Sequence, residues 1–137
     1  MADELNIPRL EQTFLRLFRL IDADDAAGVA ALFAPHGAWH RRDGARVGRA
    51  AIIGEMEARP RGRHIEHLIS NFILNKIEGG EAEVMFRTLA FSDDHPHLDR
   101  PSQMNLPIAL DAYEARLVED RGTWRLVYLK GDRMFAL

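Results

Sequence analysis

The sequence predicts an α+β domain, with helices first and a curved, mostly antiparallel sheet after them. Apolar residues recur at helical spacing before Pro60, which favours helices there. After Pro60, four longer segments have the apolar patterning of strands, and glycine-containing turns join them in pairs. Helices followed by a strand meander are typical of a fold in which the sheet curves around the helices.

The first predicted helix extends from Ile7 to Ile21. Its apolar residues fall on a single stripe, as in a helix that packs one face on a core. Asn6 and Pro8 are typical start signals. The stripe consists of Ile7, Leu10, Phe14, Leu17, Phe18 and Ile21.

A short second helix follows, and either Asp24 or Asp25 can cap its N-terminus. Pro35 and Gly37 are expected to end it. The apolar residues that it contributes are Val29, Leu32 and Phe33.

Residues 38–41 form a predicted short strand that an Arg42-Asp43-Gly44 turn ends. A third helix is predicted from Arg49 to about Ala58. Its buried residues are expected to be Ile52, Ile53 and Met56.

Four longer strands are predicted in the second half. Gly79-Gly80 joins the first two as a tight hairpin, and Asp120-Arg121-Gly122 joins the last two. The polar segment between the two pairs, residues 92–106, has the length of a lid or binding loop. The strands are expected at about 64–77, 81–91, 107–119 and 123–130.

Composition limits the classes of function. With 137 residues, the chain is expected to form one domain, residues 1–137. A net charge of −3 gives no basic surface for nucleic acid or an anionic membrane, so neither is an expected partner. The absence of cysteine excludes thiol nucleophiles and thiolate metal sites. No signal segment and no stretch of about 20 apolar residues is present, which predicts a cytoplasmic location.

The segment from Ile65 to Ile73 carries the most informative pattern. His67 and Asn71 lie four residues apart in this apolar run, and the period of two places both on the face of Ile65, Ile69 and Ile73. Three isoleucines indicate a core face. Both polar side chains are therefore expected inside the protein, where they need hydrogen-bond partners.

The other face of the same segment holds Leu68, Ser70, Phe72 and Leu74. Three helices cannot cover both faces of the sheet, and a large apolar patch in water is unfavourable. The pattern therefore predicts a homodimer formed through this face.

The chain also contains a series of short motifs in a characteristic order. They are Ile21-Asp22-Ala23-Asp24-Asp25, Leu32-Phe33-Ala34-Pro35, Gly48-Arg49, His67-x-x-x-Asn71, and Tyr113-Glu114-Ala115-Arg116 followed by Gly122-Thr123-Trp124-Arg125. Their order resembles the SnoaL-like branch of the nuclear-transport-factor-2-like superfamily over nearly the whole chain. The resemblance implies a conical α+β barrel with an apolar pocket between the helices and the concave sheet face, usually in a dimer.

The resemblance also implies site residues. In lyases of the family, such as scytalone dehydratase and hexachlorocyclohexane dehydrochlorinase, an aspartate ending the first helix pairs with a histidine on the first long strand. Asp22 and His67 match those positions, and Trp39 matches a pocket tryptophan of the dehydrochlorinase.

Other family positions differ in this chain. The dehydratase's tyrosine is replaced by Ile21, and the dehydrochlorinase's lysine and arginine match Leu17 and Leu129. The groups that recognise the leaving group in those enzymes are therefore missing. The substrate is expected to differ from both of theirs.

The pair has a chemical rationale of its own. A carboxylate that accepts the Nδ1 proton fixes the imidazole tautomer and stabilises the imidazolium that forms on proton transfer. The sequence therefore predicts a lyase, isomerase or cyclase that acts on a hydrophobic small molecule, with His67 as base and Asp22 as its partner. The residues expected to bind the substrate are Trp39, Asn71, Phe14, Phe18, Ile52 and Met56.

An alternative is a noncatalytic ligand-binding or dimerisation module, in which Asp22 is a helix cap and His67 a core histidine. No metal or organic cofactor is expected, because the chain has no dinucleotide fingerprint and no phosphate-binding glycine loop. His95 and His97 match no standard zinc spacing and are expected in solvent. Arg116 could anchor a substrate carboxylate, although a solvated arginine fits its position as well.

Overall fold

The computed structural model describes residues 2–137, with side chains from Leu5 onward, and it confirms the α+β class. Three helices pack on one six-stranded sheet that curves without closing. The helices are α1 (Ala2–Asp22), α2 (Ala26–Ala31) and α3 (Arg49–Glu57). The strands are β1 (Phe33–Arg41), β2 (Gly44–Val47), β3 (His64–Glu78), β4 (Glu81–Asp93), β5 (Ala109–Asp120) and β6 (Thr123–Ala136).

The strands lie in the order β2-β1-β6-β5-β4-β3. All neighbours are antiparallel except β1 and β6, which are parallel. Turns at Gly79-Gly80 and Arg121-Gly122 join β3 to β4 and β5 to β6, which confirms both predicted hairpins. The largest difference in length is at β6, which continues six residues past its predicted end at 130.

β1 is longer than predicted, and β2 was not predicted at all. Pro35 and Gly37 lie inside β1 instead of separating α2 from a strand at 38–41. The register between β1 and β6 shifts in this region, which accommodates the proline. A Cβ on Gly37 would lie 2.5 Å from the Leu126 carbonyl oxygen, so only glycine allows β1 to approach β6 this closely.

The core lies between α1 and the concave face of the sheet. The ring centroids of Phe14 and Phe86 are 4.6 Å apart. α1 buries the predicted stripe, apart from the partly buried Ile7. The fully buried residues of α1 are Leu10, Phe14, Leu17, Phe18 and Ile21. None of the helices described here has the length and hydropathy that crossing a bilayer requires.

A bulge in β3 overturns part of the predicted facing pattern. Asn71 has a φ of 56°, and the register with β4 shifts between Ser70 and Ile73. One additional residue reverses the alternation of side chains as far as Leu74, after which a second register shift restores it. Asn71 is exposed, so the prediction that it faces the pocket is wrong.

The same bulge changes the predicted dimer face. Phe72 packs against the core, with its ring 5.9 Å from that of Phe14, and Leu74 also contacts the core. Ile73, predicted inside, is 52% exposed, and Leu68 is 57% exposed. Of the predicted outer residues, Phe72 and Leu74 therefore belong to the inner side of the sheet.

The loop that spans residues 94–108 lies beside the start of β3. Its Ser102 hydroxyl is 2.7 Å from Nδ1 of His64, which is exposed. Leu68 and Met104 line a groove of about 370 Å³ under this loop. The loop thus contacts the outer surface of β3, on the side opposite His67.

Candidate active site

α1 ends directly after Asp22 in a Schellman motif. The Asp24 amide donates to the Ile21 carbonyl at 3.1 Å, and the Asp25 amide donates to the Leu20 carbonyl at 3.0 Å. Asp24 adopts the left-handed conformation that this motif requires, with a φ of 55°. Asp25 then caps α2 through its side chain, which confirms that prediction. The tight end of α1 leaves the Asp22 side chain directed at β3.

Asp22 and His67 are joined by two hydrogen bonds. Oδ1 of Asp22 lies 2.5 Å from Nδ1 of His67, and Oδ2 accepts from the His67 backbone amide at 2.9 Å. A carboxylate can only accept, so Nδ1 of the neutral imidazole carries the proton. Nε2 then keeps its lone pair, and it has no hydrogen-bond partner among the described residues. Each side chain is 12% exposed, which leaves access to the pair.

The surroundings of His67 are apolar. Across the sheet its row continues through three alanines, Ala90, Ala109 and Ala136. On the helix side, the Phe18 ring lies 5.0 Å from the imidazole. Small apolar side chains on one side and an aromatic ring on the other therefore give the imidazole an apolar environment.

Tyr113 is a largely buried tyrosine whose ring contacts Phe18. Its ring stacks on Phe86 at 5.2 Å and meets the edge of Phe18 at 5.4 Å. A Cβ on Gly131 would lie 2.6 Å from this ring, so glycine is needed there. Burial, with a contribution from the Asp111 carboxylate, raises the pKa of Tyr113 to about 12. The phenol is therefore a neutral donor at physiological pH, and its hydroxyl has no hydrogen-bond partner among the described residues.

A cavity of about 560 Å³ opens beside Tyr113, where β6 continues past the end of its pairing with β1. Asp111 and Arg133 form part of its wall and are joined by two hydrogen bonds, at 3.0 and 3.2 Å. That contact raises the pKa of Arg133. The lining residues are His40, Arg41, Arg42, Asp111, Tyr113, Lys130, Gly131, Asp132 and Arg133.

Trp39 is 3% exposed and lies under the Arg41 guanidinium, whose carbon is 5.0 Å from the indole centroid. Its Nε1 is a buried donor without a partner among the described residues. Trp124 has the same property at the opposite end of the core. The unpaired indole donor alone therefore does not mark a binding site.

The profile of the SnoaL-like domain matches residues 4–130, which is nearly the whole chain. The chain belongs to the SnoaL-like family. Among curated proteins, none matches the sequence significantly.

Solved structures with this fold extend the comparison. A protein assigned as a scytalone dehydratase from Novosphingobium aromaticivorans has a TM-score of 0.81 and 19% identity, covering 100% of this chain and 91% of that one. ActVI-ORFA from Streptomyces coelicolor has a TM-score of 0.76 and 19% identity, covering 93% and 96%. A type 2 hexachlorocyclohexane dehydrochlorinase (LinA) has a TM-score of 0.78 and 10% identity, covering 98% and 89%. At these identities the likeness shows the fold.

In this SnoaL-like domain, the residues predicted to bind substrate separate into two groups. Phe18 contacts His67 directly, at 5.0 Å between ring centroids. Phe14, Ile52 and Met56 are between 0 and 1% exposed and pack inside the core, so the structure gives them no surface for a ligand. Their apolar character reflects core packing, which a sequence pattern does not distinguish from pocket lining.

Two other sequence candidates lie away from the pair. His95 and His97 are exposed, and the side chains described from Leu5 onward contain no group of three potential metal-binding residues. Arg116 is exposed on the outer face, where its guanidinium lies 4.9 Å from the Tyr128 ring centroid.

Sequence reasoning missed the polar groups that come from β5 and β6. Asp111 and Tyr113 lie on the inner face of β5 together with buried apolar residues. Polar side chains at one end of an otherwise apolar strand face were therefore the signal that the sequence offered. Arg133 lies beyond the predicted end of β6. Nothing in its local pattern distinguishes it from a residue of a charged C-terminal segment.

Proposed function

We propose that this SnoaL-like domain is a cofactor-independent lyase, isomerase or cyclase in which His67 removes a proton from a carbon atom of a hydrophobic small molecule. The observation that carries the proposal is the double hydrogen bond from Asp22 to His67. It fixes both the position and the tautomer of the ring, which a general base needs. A histidine with a purely structural role needs only one hydrogen-bond partner. In this protein the Asp22 carboxylate contacts both the backbone and the side chain of His67.

The proposed step conserves protons and electrons. Nε2 of His67 accepts the proton from a carbon next to a carbonyl or leaving group, and Asp22 stabilises the resulting imidazolium. The electron pair moves to the carbonyl oxygen or expels the leaving group, or it attacks a second carbonyl in a cyclisation. The Tyr113 phenol donates a hydrogen bond to the oxygen that gains charge. The apolar ring of Phe18 excludes water between the two groups.

The relatives support this kind of chemistry. Two of the structures with this fold are named for a dehydratase and a dehydrochlorinase, names that denote elimination reactions. A reaction that one histidine, one carboxylate and one phenol catalyse needs no electron carrier. We therefore expect a chelator to leave the activity unchanged, while loss of activity that zinc restores would point to a metal at His95 and His97.

Deuterium exchange tests the base directly. Cyclic monoketones and aryl β-hydroxyketones contain weakly acidic C–H bonds that exchange slowly at neutral pH without a catalyst, and NMR in D₂O follows their exchange with wild-type protein. We expect wild-type protein to accelerate exchange for at least one of them and His67→Gln to abolish that acceleration. His64→Gln is the matched control, because His64 lies on the same strand but is exposed on the opposite face.

Equal exchange by wild type and His67→Gln would contradict a base role for His67. If such a protein still bound the ketones, it would be the noncatalytic ligand-binding module. That alternative needs a cavity and the fold but no particular tautomer of His67.

We also propose that the domain forms a homodimer through the convex face of the sheet. Four apolar residues are direct neighbours across β3, β4, β5 and β6 on this face: Leu68, Leu89, Leu110 and Phe135. Leu68 and Phe135 are 57% and 67% exposed. Covering such a row with the same row of a second copy removes apolar surface from water, at about 25 cal/mol per Å².

A further inference from the structure

The cavity beside Tyr113 lies where the sheet loses one strand. β1 pairs with β6 as far as His40 and Lys130, whereas β6 continues to Ala136. In the part of the chain that the structure describes, residues 131–133 therefore have no partner strand on this edge. An open sheet edge exposes unpaired backbone N–H groups, and such edges can form anion-binding concavities. The cavity volume of about 560 Å³ fits a small organic molecule.

The hydroxyl end of Tyr113 lies at the wall of this cavity. A Cβ on Gly131 would lie 2.6 Å from both Cε1 and Cζ of the ring, and Cζ carries the hydroxyl. Gly131 and Tyr113 both line the cavity. Tyr113 is 8% exposed, and its hydroxyl has no hydrogen-bond partner among the described residues. A buried donor of this kind needs an acceptor, which a ligand in the cavity would supply.

Cationic side chains predominate on the wall of the cavity. The whole chain has a net charge of −3, whereas the wall has more cations than carboxylates. The cavity is therefore a place where an acidic protein attracts an anion. The cations are Arg41, Arg42, Lys130 and Arg133, and the carboxylates are Asp111 and Asp132.

The two arginines that have carboxylate partners keep free donors. Arg133 binds Asp111 through Nε and Nη2, at 3.0 and 3.2 Å. Arg41 contacts Glu55 through Nε, at 3.1 Å. A guanidinium has several N–H donors on three nitrogens, so Nη1 of Arg133 and both Nη groups of Arg41 remain available to a ligand.

The other two cations are held even less firmly. Nζ of Lys130 lies 3.9 Å from the Asp132 carboxylate, at the limit of an ion pair. Arg42 has no hydrogen bond or ion pair with any described residue. Exposed ion pairs contribute little to stability, so these side chains can turn to a ligand at small cost.

We propose that this cavity binds a small organic acid, whose carboxylate accepts from the Tyr113 hydroxyl and from the arginine donors around it. A carboxylate has two oxygens with about four lone-pair positions, so it can accept from a phenol and a guanidinium together. The Asp111 and Asp132 carboxylates disfavour a ligand with a second negative charge. This site goes beyond the proposed function, because it requires Tyr113 only as a donor and does not depend on His67 as a base.

Benzoate and benzamide test the inference without turnover, because they have nearly the same shape and differ in charge. Titration of nitrogen-labelled wild-type protein by NMR gives the dissociation constant of each ligand and shows which amides respond. We expect benzoate to bind at least about fivefold more tightly, and added salt should reduce the difference. The largest shifts are expected at the amides of Gly131 and Asp132.

Surface variants assign the preference to the cavity. Arg42→Gln should lower benzoate affinity by about three- to tenfold and leave benzamide affinity unchanged. Asp132→Asn should raise benzoate affinity, because it removes a competing carboxylate from the wall. Arg16→Gln is the matched control, since it removes the same charge from an exposed position of α1.

Tyr113→Phe tests the phenol. It should weaken benzoate and benzamide by similar factors of about three to ten, because the carbonyl oxygen of the amide also accepts a hydrogen bond. Phenylalanine keeps the ring contacts with Phe18 and Phe86, so the variant is expected to fold. Unchanged affinity for both ligands would overturn the contact with the Tyr113 hydroxyl.

Three further outcomes would overturn the inference: equal affinity of wild-type protein for benzoate and benzamide, the largest shifts outside the cavity, or equal loss of benzoate affinity in Arg42→Gln and Arg16→Gln. The titration is independent of deuterium exchange. Benzoate binding with no effect of His67→Gln on exchange would overturn only the proposed base. Intact exchange without benzoate binding would overturn only this site.

Discussion

The Asp22 carboxylate holds both the backbone and the side chain of His67, at 2.9 and 2.5 Å. One oxygen accepts from the amide of β3, and this bond fixes the end of α1 against the strand. The other oxygen contacts Nδ1, so the orientation of the imidazole is tied to the packing of helix on sheet. The helix end and the candidate base therefore form one structural unit.

Asp22→Asn is expected to lower activity by about 10³ to 10⁴-fold while the protein remains folded. The amide of asparagine can accept from the His67 backbone amide only if its NH₂ group faces Nδ1. That arrangement moves the ring proton to Nε2 and removes the base. Nitrogen NMR of labelled histidine reports the tautomer, and Asp24→Asn is the control, since Asp24 makes no hydrogen bond to His67.

The buried Tyr113 is expected to make the wild-type protein less stable at alkaline pH, and Tyr113→Phe should abolish this pH dependence. An unfolded tyrosine has a pKa near 10, whereas burial holds the pKa of Tyr113 at about 12 in the folded protein. Between these values the unfolded chain has lost a proton that the folded chain keeps, so the free energy of unfolding falls as pH rises. The slope is about 1.4 kcal/mol per pH unit, and about 2 to 3 kcal/mol is lost in all.

Urea unfolding at a series of pH values from neutral to alkaline measures that slope. Tyr128→Phe is the comparison variant and should have a smaller effect, because burial and the hydrogen bond to Glu114 raise the pKa of the partly exposed Tyr128 less than burial raises that of Tyr113. A slope that Tyr113→Phe leaves unchanged would contradict the buried, protonated phenol.

Gly131→Ala is expected to destabilise the protein by about 1 to 3 kcal/mol. The new Cβ would lie 2.6 Å from two ring carbons of Tyr113, which is itself packed against Phe86 and Phe18. In a Tyr113→Leu background, which lacks the ring, the same substitution should cost less, and a double-mutant cycle measures the difference. Gly54→Ala, on an open face of α3, should instead stabilise by about 0.5 to 1 kcal/mol.

Asp24→Gly is expected to stabilise the fold by about 0.5 to 1 kcal/mol. Asp24 has a φ of 55° in the Schellman motif that ends α1, and glycine takes this conformation without steric cost. Thermal unfolding compares Asp24→Gly with Asp24→Asn, which removes the charge but tolerates the left-handed region. Equal stability of the two variants would assign the effect to charge instead of to backbone conformation.

Leu68→Glu and Phe135→Glu are each expected to convert the dimer to a monomer. Both place a charge in the exposed apolar row on the convex face, where pairing two copies would desolvate it. Sedimentation equilibrium measures the change. Leu15→Glu is the control, because Leu15 is 55% exposed on α1, away from the sheet. A monomeric wild-type protein would contradict the proposed dimer.

The sequence by itself determined the order of helices and strands, both hairpins, the buried stripe of α1 and the positions of Asp22 and His67. These features depend on local periodicity and turn chemistry, which neighbouring residues specify directly. The Schellman motif that directs Asp22 at β3 is formed by six consecutive residues, 20–25. For that reason the aspartate cluster at the end of the first helix was an informative signal.

Only the tertiary structure decided which polar groups surround the pair. The bulge at Asn71 depends on the pairing of β3 with β4, and one shifted residue moved Asn71 outward and Phe72 inward. Phe18 and Tyr113, whose rings are in contact, come from segments more than 90 residues apart in the chain. Periodicity indicates whether a residue is buried. The distance between segments that are far apart in the chain is set by sheet register and helix packing. No local sequence pattern could therefore predict that these residues are neighbours.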